Sequence, residues 1–211
     1  MLKTRSHLLV AFAAVAVLGS AGPALAGPPL ICHPFETGAA PLLSWGQGNA
    51  WNSPDPRYDL HRLTADTMRL LNKEAAVLSR MENLRRATIY AMKDPQVAQE
   101  LLAALVGRAL TPSGPHDPNS WFDAGYLIEA YKQGLSLRAP ASGHAAWAAV
   151  DESIKVDGYG FVKKALTLAP NADMEFAASL MTQGATSSAH RARAAATAER
   201  GSLLALNLSR Y

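Results

Sequence analysis

The sequence of 211 residues has only one cysteine, Cys32. A lone cysteine cannot form a disulfide within its own chain, which excludes the disulfide frameworks of many small secreted domains. Haem attachment of the usual bacterial type is also excluded, because it requires a second cysteine three residues earlier, where this chain has Pro29. The chain is long enough to fold around a hydrophobic core, and we predict no cofactor.

Long apolar stretches and blocks of like charge are also missing beyond the first 26 residues. No later segment has 18 uninterrupted apolar residues, so we expect no stable membrane anchor once the leader is removed. Two of the 20 basic residues, Lys3 and Arg5, lie in the first 26 residues, which contain none of the 17 acidic ones. The remainder is therefore close to electrical neutrality, and we expect no nucleic-acid partner.

The first 26 residues have the pattern of a secretory signal peptide. Lys3 and Arg5 precede an apolar run over residues 8–18, and the segment Ala24-Leu25-Ala26 supplies the small residues that a signal peptidase accepts. A helix formed by this run would be roughly 16 Å long, too short for a hydrocarbon core of about 30 Å. The sequence predicts a cleaved leader over 1–26 and an exported protein, periplasmic or extracellular.

The segment 27–57 is rich in proline and glycine, which interrupt regular secondary structure. Phe35, Trp45 and Trp51 make it too apolar for a disordered leader. We therefore predict an irregular N-terminal arm over 27–57, packed on a single helical domain over 58–211.

Apolar residues at three-to-four-residue spacing predict helices through most of the remaining chain. In the second helix, over 73–93, one face carries Val77, Met81, Leu84, Thr88 and Ala91, and on the opposite side Glu82 can pair with Arg85 or Arg86. The first helix is predicted from Pro56 with Asp55 as its cap, and the third from Pro95 to Leu110 after Asp94. A loop over 111–120 follows, and Ser120 is the predicted cap of the fourth helix. Beyond a second loop over 138–143, helices are predicted over 144–154, 159–168, 172–181 and 187–208. Alternating strand patterns are missing, so the predicted class is all-α, a bundle or short solenoid of antiparallel helix pairs.

Two resemblances accompany this pattern. Gly158, Val162, Ala165, Pro170 and Phe176 have the spacing of a tetratricopeptide helix-turn-helix corner over 158–176, which implies that short helices pair antiparallel there. The arm sequence Ile31-Cys32-His33-Pro34-Phe35, followed by Trp45-Gly46, resembles that of uncharacterised exported bacterial helical proteins. That resemblance implies an exported helical domain and no particular activity.

Cys32 and His33 are the sharpest candidates for chemistry. A thiolate and an imidazole are both ligands for copper or zinc, and an imidazolium can lower the pKa of a neighbouring thiol. A metal site would need further ligands from the body of the domain, and the alternative is a small buried apolar cysteine. The sequence has no Gly-x-Ser-x-Gly elbow, and Asp123 and Glu129, six positions apart, point about 120° apart on one helix and do not form a carboxylate pair.

Trp121, Phe122, Tyr126 and Tyr131 place aromatic rings on two sides of the fourth helix. Such rings belong either to the core or to a surface for a peptide or ring-bearing ligand, for which Trp121 and Tyr126 are the candidates. Two functions remain open. The first is an exported, non-catalytic interaction or scaffold protein with a protein or peptide partner; the second is a metal-binding or thiol-redox protein that uses Cys32 and His33.

Overall fold

The computed structural model describes residues 29–48, 50–111, 116–137 and 144–211, with the backbone alone at 144 and 145. The predicted leader over 1–26 and the predicted loop over 138–143 lie outside this part of the chain, as does the middle of the loop over 111–120. Among the residues described, no helix combines the length and hydropathy needed to cross a membrane.

The protein is all-α, as predicted, and the described residues contain no strand. A short 3-10 turn at Leu60–Arg62 leads into the first helix. The α-helices are α1 (Leu63–Leu70), α2 (Val77–Ala91), α3 (Pro95–Leu110), α4 (Pro118–Ser136), α5 (His144–Ser153), α6 (Gly158–Leu168), α7 (Ala172–Met181), α8 (Gly184–Thr197) and α9 (Leu203–Arg210).

Side-chain caps explain several of the helix starts. Asp94 accepts hydrogen bonds from the amides of Gln96 and Val97, and Pro95 occupies the first turn, so this predicted cap is confirmed. Asp157, Asn171 and Ser202 cap α6, α7 and α9 in the same way. These caps satisfy amides that have no partner within their own helix.

The first two helices begin later than predicted. Asp55 accepts from the amide of Arg57 and its carbonyl accepts from the amide of Tyr58, so Asp55-Pro56 forms a turn instead of starting a helix. Asn72 likewise holds a turn, since its side chain accepts from the amide of Glu74. In both places the short polar side chain closes a local turn that competes with the helix.

Two further boundaries differ from the prediction. Asp117, not Ser120, caps α4; Ser120 lies inside the helix and its hydroxyl donates to the carboxylate of Asp117. The single Ala-rich helix predicted over 187–208 is two helices, α8 and α9, separated at 198–202. Gly201 has φ +79° and Ser202 then caps α9, so the chain changes direction at a residue that tolerates a left-handed backbone.

Helix α4 runs through the middle of the fold and contacts α2, α3, α6 and α7. Its tightest approach is to α6, where Gly125 and Gly158 face each other. A Cβ atom added to Gly125 would lie 2.5 Å from the carbonyl oxygen of Gly158, so only glycine permits this distance. This close contact fixes α6 against α4, and the other side of α6 contacts α7 and solvent.

The described residues of the arm pack on this bundle. The arm side chains Leu30, Ile31, Phe35 and Leu43 belong to the core. The backbone of these described residues has no regular secondary structure, and helix side chains bind it instead. Asn83 of α2 accepts from the amide of Leu43 and donates to the carbonyl of Pro41, and Asn207 of α9 bonds both the amide and the carbonyl of Glu36.

The polar side of α2 is consequently buried under the arm. Glu82 pairs with both Arg85 and Arg86, as predicted, but Glu82 and Arg85 are each about 1% exposed. Arg85 donates to the carbonyls of Ile31 and Trp51, and Arg86 donates to that of Leu43. These arginine side chains therefore satisfy backbone carbonyls of the arm that have no partner in regular secondary structure.

Candidate binding site between helices α6, α7 and α8

An open hollow of about 600 Å³ lies on the surface where α6, α7 and α8 meet. Its lining includes the apolar side chains Leu166, Ala185 and Ala189 and a polar wall of Tyr159, Lys163, Glu175, His190 and Arg193. The hollow thus combines apolar lining with several hydrogen-bonding groups, as ligand sites do.

The polar wall is a continuous chain of hydrogen bonds. Tyr159 Oη is 2.6 Å from His190 Nε2, and His190 Nδ1 is 2.5 Å from Glu175 Oε2. Arg193 donates from Nε to the other oxygen of Glu175 at 2.9 Å, and its Nη2 lies 2.6 Å from His190 Nδ1. Each group is held by the next, so the wall is ordered before any ligand binds.

Local sequence explains how each helix delivers its side chain. Asp157 caps α6 and begins the turn that carries Tyr159. On α7 the buried neighbours Met174 and Phe176 pack inward and leave Glu175 half-buried at the rim. On α8 His190 and Ala194, four residues apart, are both buried and fix the face that turns towards α7.

The cluster shifts the pKa values of its members. Burial raises the pKa of Tyr159, and Glu175 adds to this rise although the charge of Arg193 opposes it. Burial also opposes ionisation of Glu175, but hydrogen bonds from Arg193 and His190 outweigh it and lower the pKa of that carboxyl. Glu175 is therefore ionised and paired at neutral pH, and Tyr159 keeps its proton.

Positive charge remains at the rim of the hollow. Arg193 is 52% exposed and pairs with Glu175, whose charge it balances. Lys163 Nζ lies 4.8 Å from the centre of the Tyr159 ring and forms no ion pair within the part of the chain that the structure describes. The site is suited to a ligand with hydrogen-bond acceptors and negative charge.

Sequence reasoning missed this site. His190 stands alone in the sequence, and its partners are 15 and 31 residues away on other helices. Of the arginines in the Ala-rich segment, Arg193 pairs with Glu175 and Arg191 donates to the carbonyl of Leu208. His190 and Arg193 are three residues apart on α8, but only the packing of α6, α7 and α8 brings them together with Tyr159 and Glu175.

Cys32 and His33 lie in the arm, at the opposite end of the chain. Cys32 is buried, and burial raises the pKa of its thiol although the charge of Arg85 acts in the other direction. His33 has a buried Nε2 without a hydrogen-bond partner among the described residues, and its carbonyl accepts from the hydroxyl of Tyr211. Within the described residues, no group of three or more His, Cys, Asp and Glu side chains could hold a metal ion.

Trp121 and Tyr126 also differ from each other in position. Tyr126 is fully buried in the core, as are Phe122 and Tyr131. Trp121 is partly buried and packs edge-on against Phe161, with ring centres 4.9 Å apart. The structure does not place Tyr126 on a surface, and of the two only Trp121 reaches solvent.

Asp123 and Glu129 point in different directions on α4, as the sequence indicates, and Asp123 is paired inside the fold. It is fully buried and accepts from Arg80 at 2.6 Å and from Arg108. Burial raises the pKa of Asp123 to about 6, against the opposing effect of both arginines. Its other oxygen has no partner among the described residues, and the cluster connects α2, α3 and α4.

The fold and the hollow together define an all-α protein with a pre-ordered polar surface site. Comparison of the chain with protein-family models, curated proteins and solved structures finds no match. The function must therefore be argued from the site itself.

Proposed function

We propose that this protein is an exported, non-catalytic helical interaction protein that binds a protein or peptide partner at the hollow between α6, α7 and α8. The observation that carries the proposal is the ordered chain Tyr159–His190–Glu175–Arg193 along an open hollow that also has apolar lining. The leader-like segment over 1–26 supports the export part.

The composition of the hollow favours a macromolecular partner. Tyrosine and arginine dominate the energetics of protein interfaces, because they combine large contact area with hydrogen bonding. The hollow is open, and exposed residues such as Ala185, Thr186 and Ala189 border it, so a segment of a partner can lie across it. The network already orders Tyr159 and Arg193, which reduces the entropy lost on binding.

Site-specific photocrosslinking tests the proposal. A photoreactive amino acid at Ala189, on the border of the hollow, is expected to yield a discrete adduct in cells that produce the protein. The same group at Glu100, an exposed position on α3, serves as the control. The Ala189 adduct should be lost in the double variant Tyr159→Phe, Lys163→Glu. Equal adducts from both positions, or none from Ala189, would contradict the proposed site.

Export is tested separately by sequencing the N-terminus of the protein recovered from outside the cytoplasm. A mature chain that begins at Gly27 is expected. An intact N-terminus on that material would refute the predicted leader.

A further inference from the structure

His190 lies where two groups compete for one ring nitrogen. Its Nδ1 is 2.5 Å from Glu175 Oε2 and 2.6 Å from Arg193 Nη2. A carboxylate oxygen can only accept a hydrogen bond and a guanidinium can only donate one. A ring nitrogen either carries a proton or offers a lone pair, so Nδ1 can satisfy only one of these partners at a time.

The choice at the ring decides where the Tyr159 proton points. When neutral His190 carries its proton on Nδ1, it donates to Glu175, and Nε2 accepts the hydroxyl proton of Tyr159. When His190 is doubly protonated, both nitrogens donate, and the oxygen of Tyr159 accepts from Nε2. The hydroxyl proton of Tyr159 is then free to bond a group in the hollow, which Tyr159 lines.

A neutral ring protonated only on Nε2 would also free the hydroxyl proton. In that form Nδ1 accepts from Arg193, and Glu175 loses its bond to the ring and keeps only the bond from Arg193 Nε. The doubly protonated ring keeps the bond to Glu175. A bound acceptor with negative charge therefore favours protonation of His190 over the change of tautomer.

We propose that the hollow binds a carboxylate group of the partner, which accepts the hydroxyl proton of Tyr159 and lies beside Lys163, and that binding is accompanied by uptake of one proton at His190. This inference rests on the proposed function and names the chemical group that the site recognises. The carboxylate can belong to an Asp or Glu side chain or to a chain terminus.

The charged surroundings of His190 agree with this coupling. From α6 it faces Tyr159, with Lys163 above the tyrosine ring and Asp157 at the helix start. From α7 it faces Glu175, and from its own helix Arg193. From α9, Arg210 pairs with Glu36 of the arm instead. Because Arg193 already balances Glu175, an added proton at His190 leaves the hollow with net positive charge, which a bound carboxylate beside Lys163 would offset.

The test uses the peptides acetyl-Gly-Asp-Gly-amide, acetyl-Gly-Asn-Gly-amide and acetyl-Gly-Gly with a free carboxylate, together with inorganic phosphate. Binding is followed by NMR titration of the full chain at pH 5.5 and 8.0, which bracket the ordinary titration of histidine. The Asp peptide should bind about tenfold or more tightly at pH 5.5 than at pH 8.0, and the Asn peptide should bind weakly at both. The free-carboxylate peptide separates a terminal from a side-chain source.

Variants separate a positioning role from a purely structural one. In Tyr159→Phe the pH dependence of binding should disappear while the thermal unfolding temperature changes little. In His61→Asn, at an exposed histidine outside the hollow, the pH dependence should persist. Equal affinity of the Asp peptide at both pH values, stronger binding of phosphate than of any carboxylate, or retained pH dependence in Tyr159→Phe overturns the inference.

The two proposals can fail separately. If none of the peptides binds but the crosslink from Ala189 persists, the carboxylate inference is wrong and the proposed function stands. If both the peptides and the crosslink fail, both proposals are wrong.

Discussion

Single side chains show how far burial changes the expected chemistry. Asp123 would be an ordinary acid on an exposed helix face, but in this fold its carboxyl is enclosed with Arg80 and Arg108. Cys32 would be a reactive thiol beside a histidine, but in this fold it is a buried residue of the arm. In both cases removal from water changes the pKa more than the neighbouring charges do.

The stability of the protein should depend on pH through Asp123. Its pKa is raised to about 6 in the folded state, so the folded state holds this proton more tightly than the unfolded chain. The corresponding stabilisation is complete below about pH 4 and is lost as the pH rises through 6, a change on the order of 3 kcal/mol. Asp123→Asn should remove this part of the pH dependence, as measured by urea unfolding from pH 4 to 7.

Asp151→Asn, at an exposed position on α5, is the matched control and should follow the wild type at every pH. A wild-type advantage over Asp123→Asn that grows with pH would contradict the prediction. It would mean that the arginines stabilise the ionised carboxylate more than burial destabilises it.

Cys32 should react slowly with a thiol reagent in the native protein. Burial both shields the thiol and raises its pKa, so little thiolate is present at pH 7.5. Labelling should become fast in denaturant. As a control, Glu100→Cys in a Cys32→Ala background places the one thiol on the surface and should label at once. Native labelling of Cys32 at the control rate, together with bound zinc or copper lost in Cys32→Ala, would favour the metal or redox hypothesis.

Individual helices follow local sequence where their signals are strong. The apolar face of α2 is buried as predicted, including Leu84, and the Asp94-Pro95 start of α3 is confirmed. Apart from the cap of α4, which is Asp117 and not Ser120, the errors occur where a turn competes with a helix, at Asp55, at Asn72 and between α8 and α9. The spacing of apolar residues does not reveal these turns. A turn depends instead on residues such as Asp, Asn and Gly, which are a separate signal in the sequence.

Substitutions of two glycines, one in a turn and one inside a helix, test whether the turn before α9 requires a left-handed residue. Gly201 has φ +79° with nothing within 4 Å of an added Cβ, so Gly201→Ala should cost on the order of 1 kcal/mol from backbone strain alone. Gly107 lies inside α3, also with open space, so Gly107→Ala should stabilise by about 0.5–1 kcal/mol. Chemical denaturation measures both. Effects of the same sign would show that the turn before α9 is not held at a left-handed residue.

The molecule as a whole depends on contacts between distant parts of the chain. Asn83 and the arm residues it binds are 40 and 42 positions apart, and Asn207 is 171 positions from Glu36. These bonds enclose the charges of α2 and bring the apolar arm residues into the core. The arm is therefore part of the folded structure.

Asn83→Ala should loosen the arm before the bundle unfolds. The substitution leaves the buried amide of Leu43 without its partner, at a cost of about 1–3 kcal/mol, and removes the partly buried bond to the carbonyl of Pro41. Amide exchange at Leu43 should accelerate, and limited proteolysis should cut the arm sooner. Asn52→Ala, at an exposed arm position, should change neither. Unchanged exchange at Leu43 in Asn83→Ala would show that apolar packing alone holds the arm.

The sequence by itself determined the all-α class, the buried face of α2 and the caps that begin α3, because hydrogen bonding and side-chain periodicity within a helix are local. Only the tertiary structure decided that the charges of α2 lie beneath the arm and that Tyr159, Glu175 and His190 meet at one hollow. A polar side chain can be satisfied by water, by a neighbour or by a distant segment, and the packing of the whole chain selects among them.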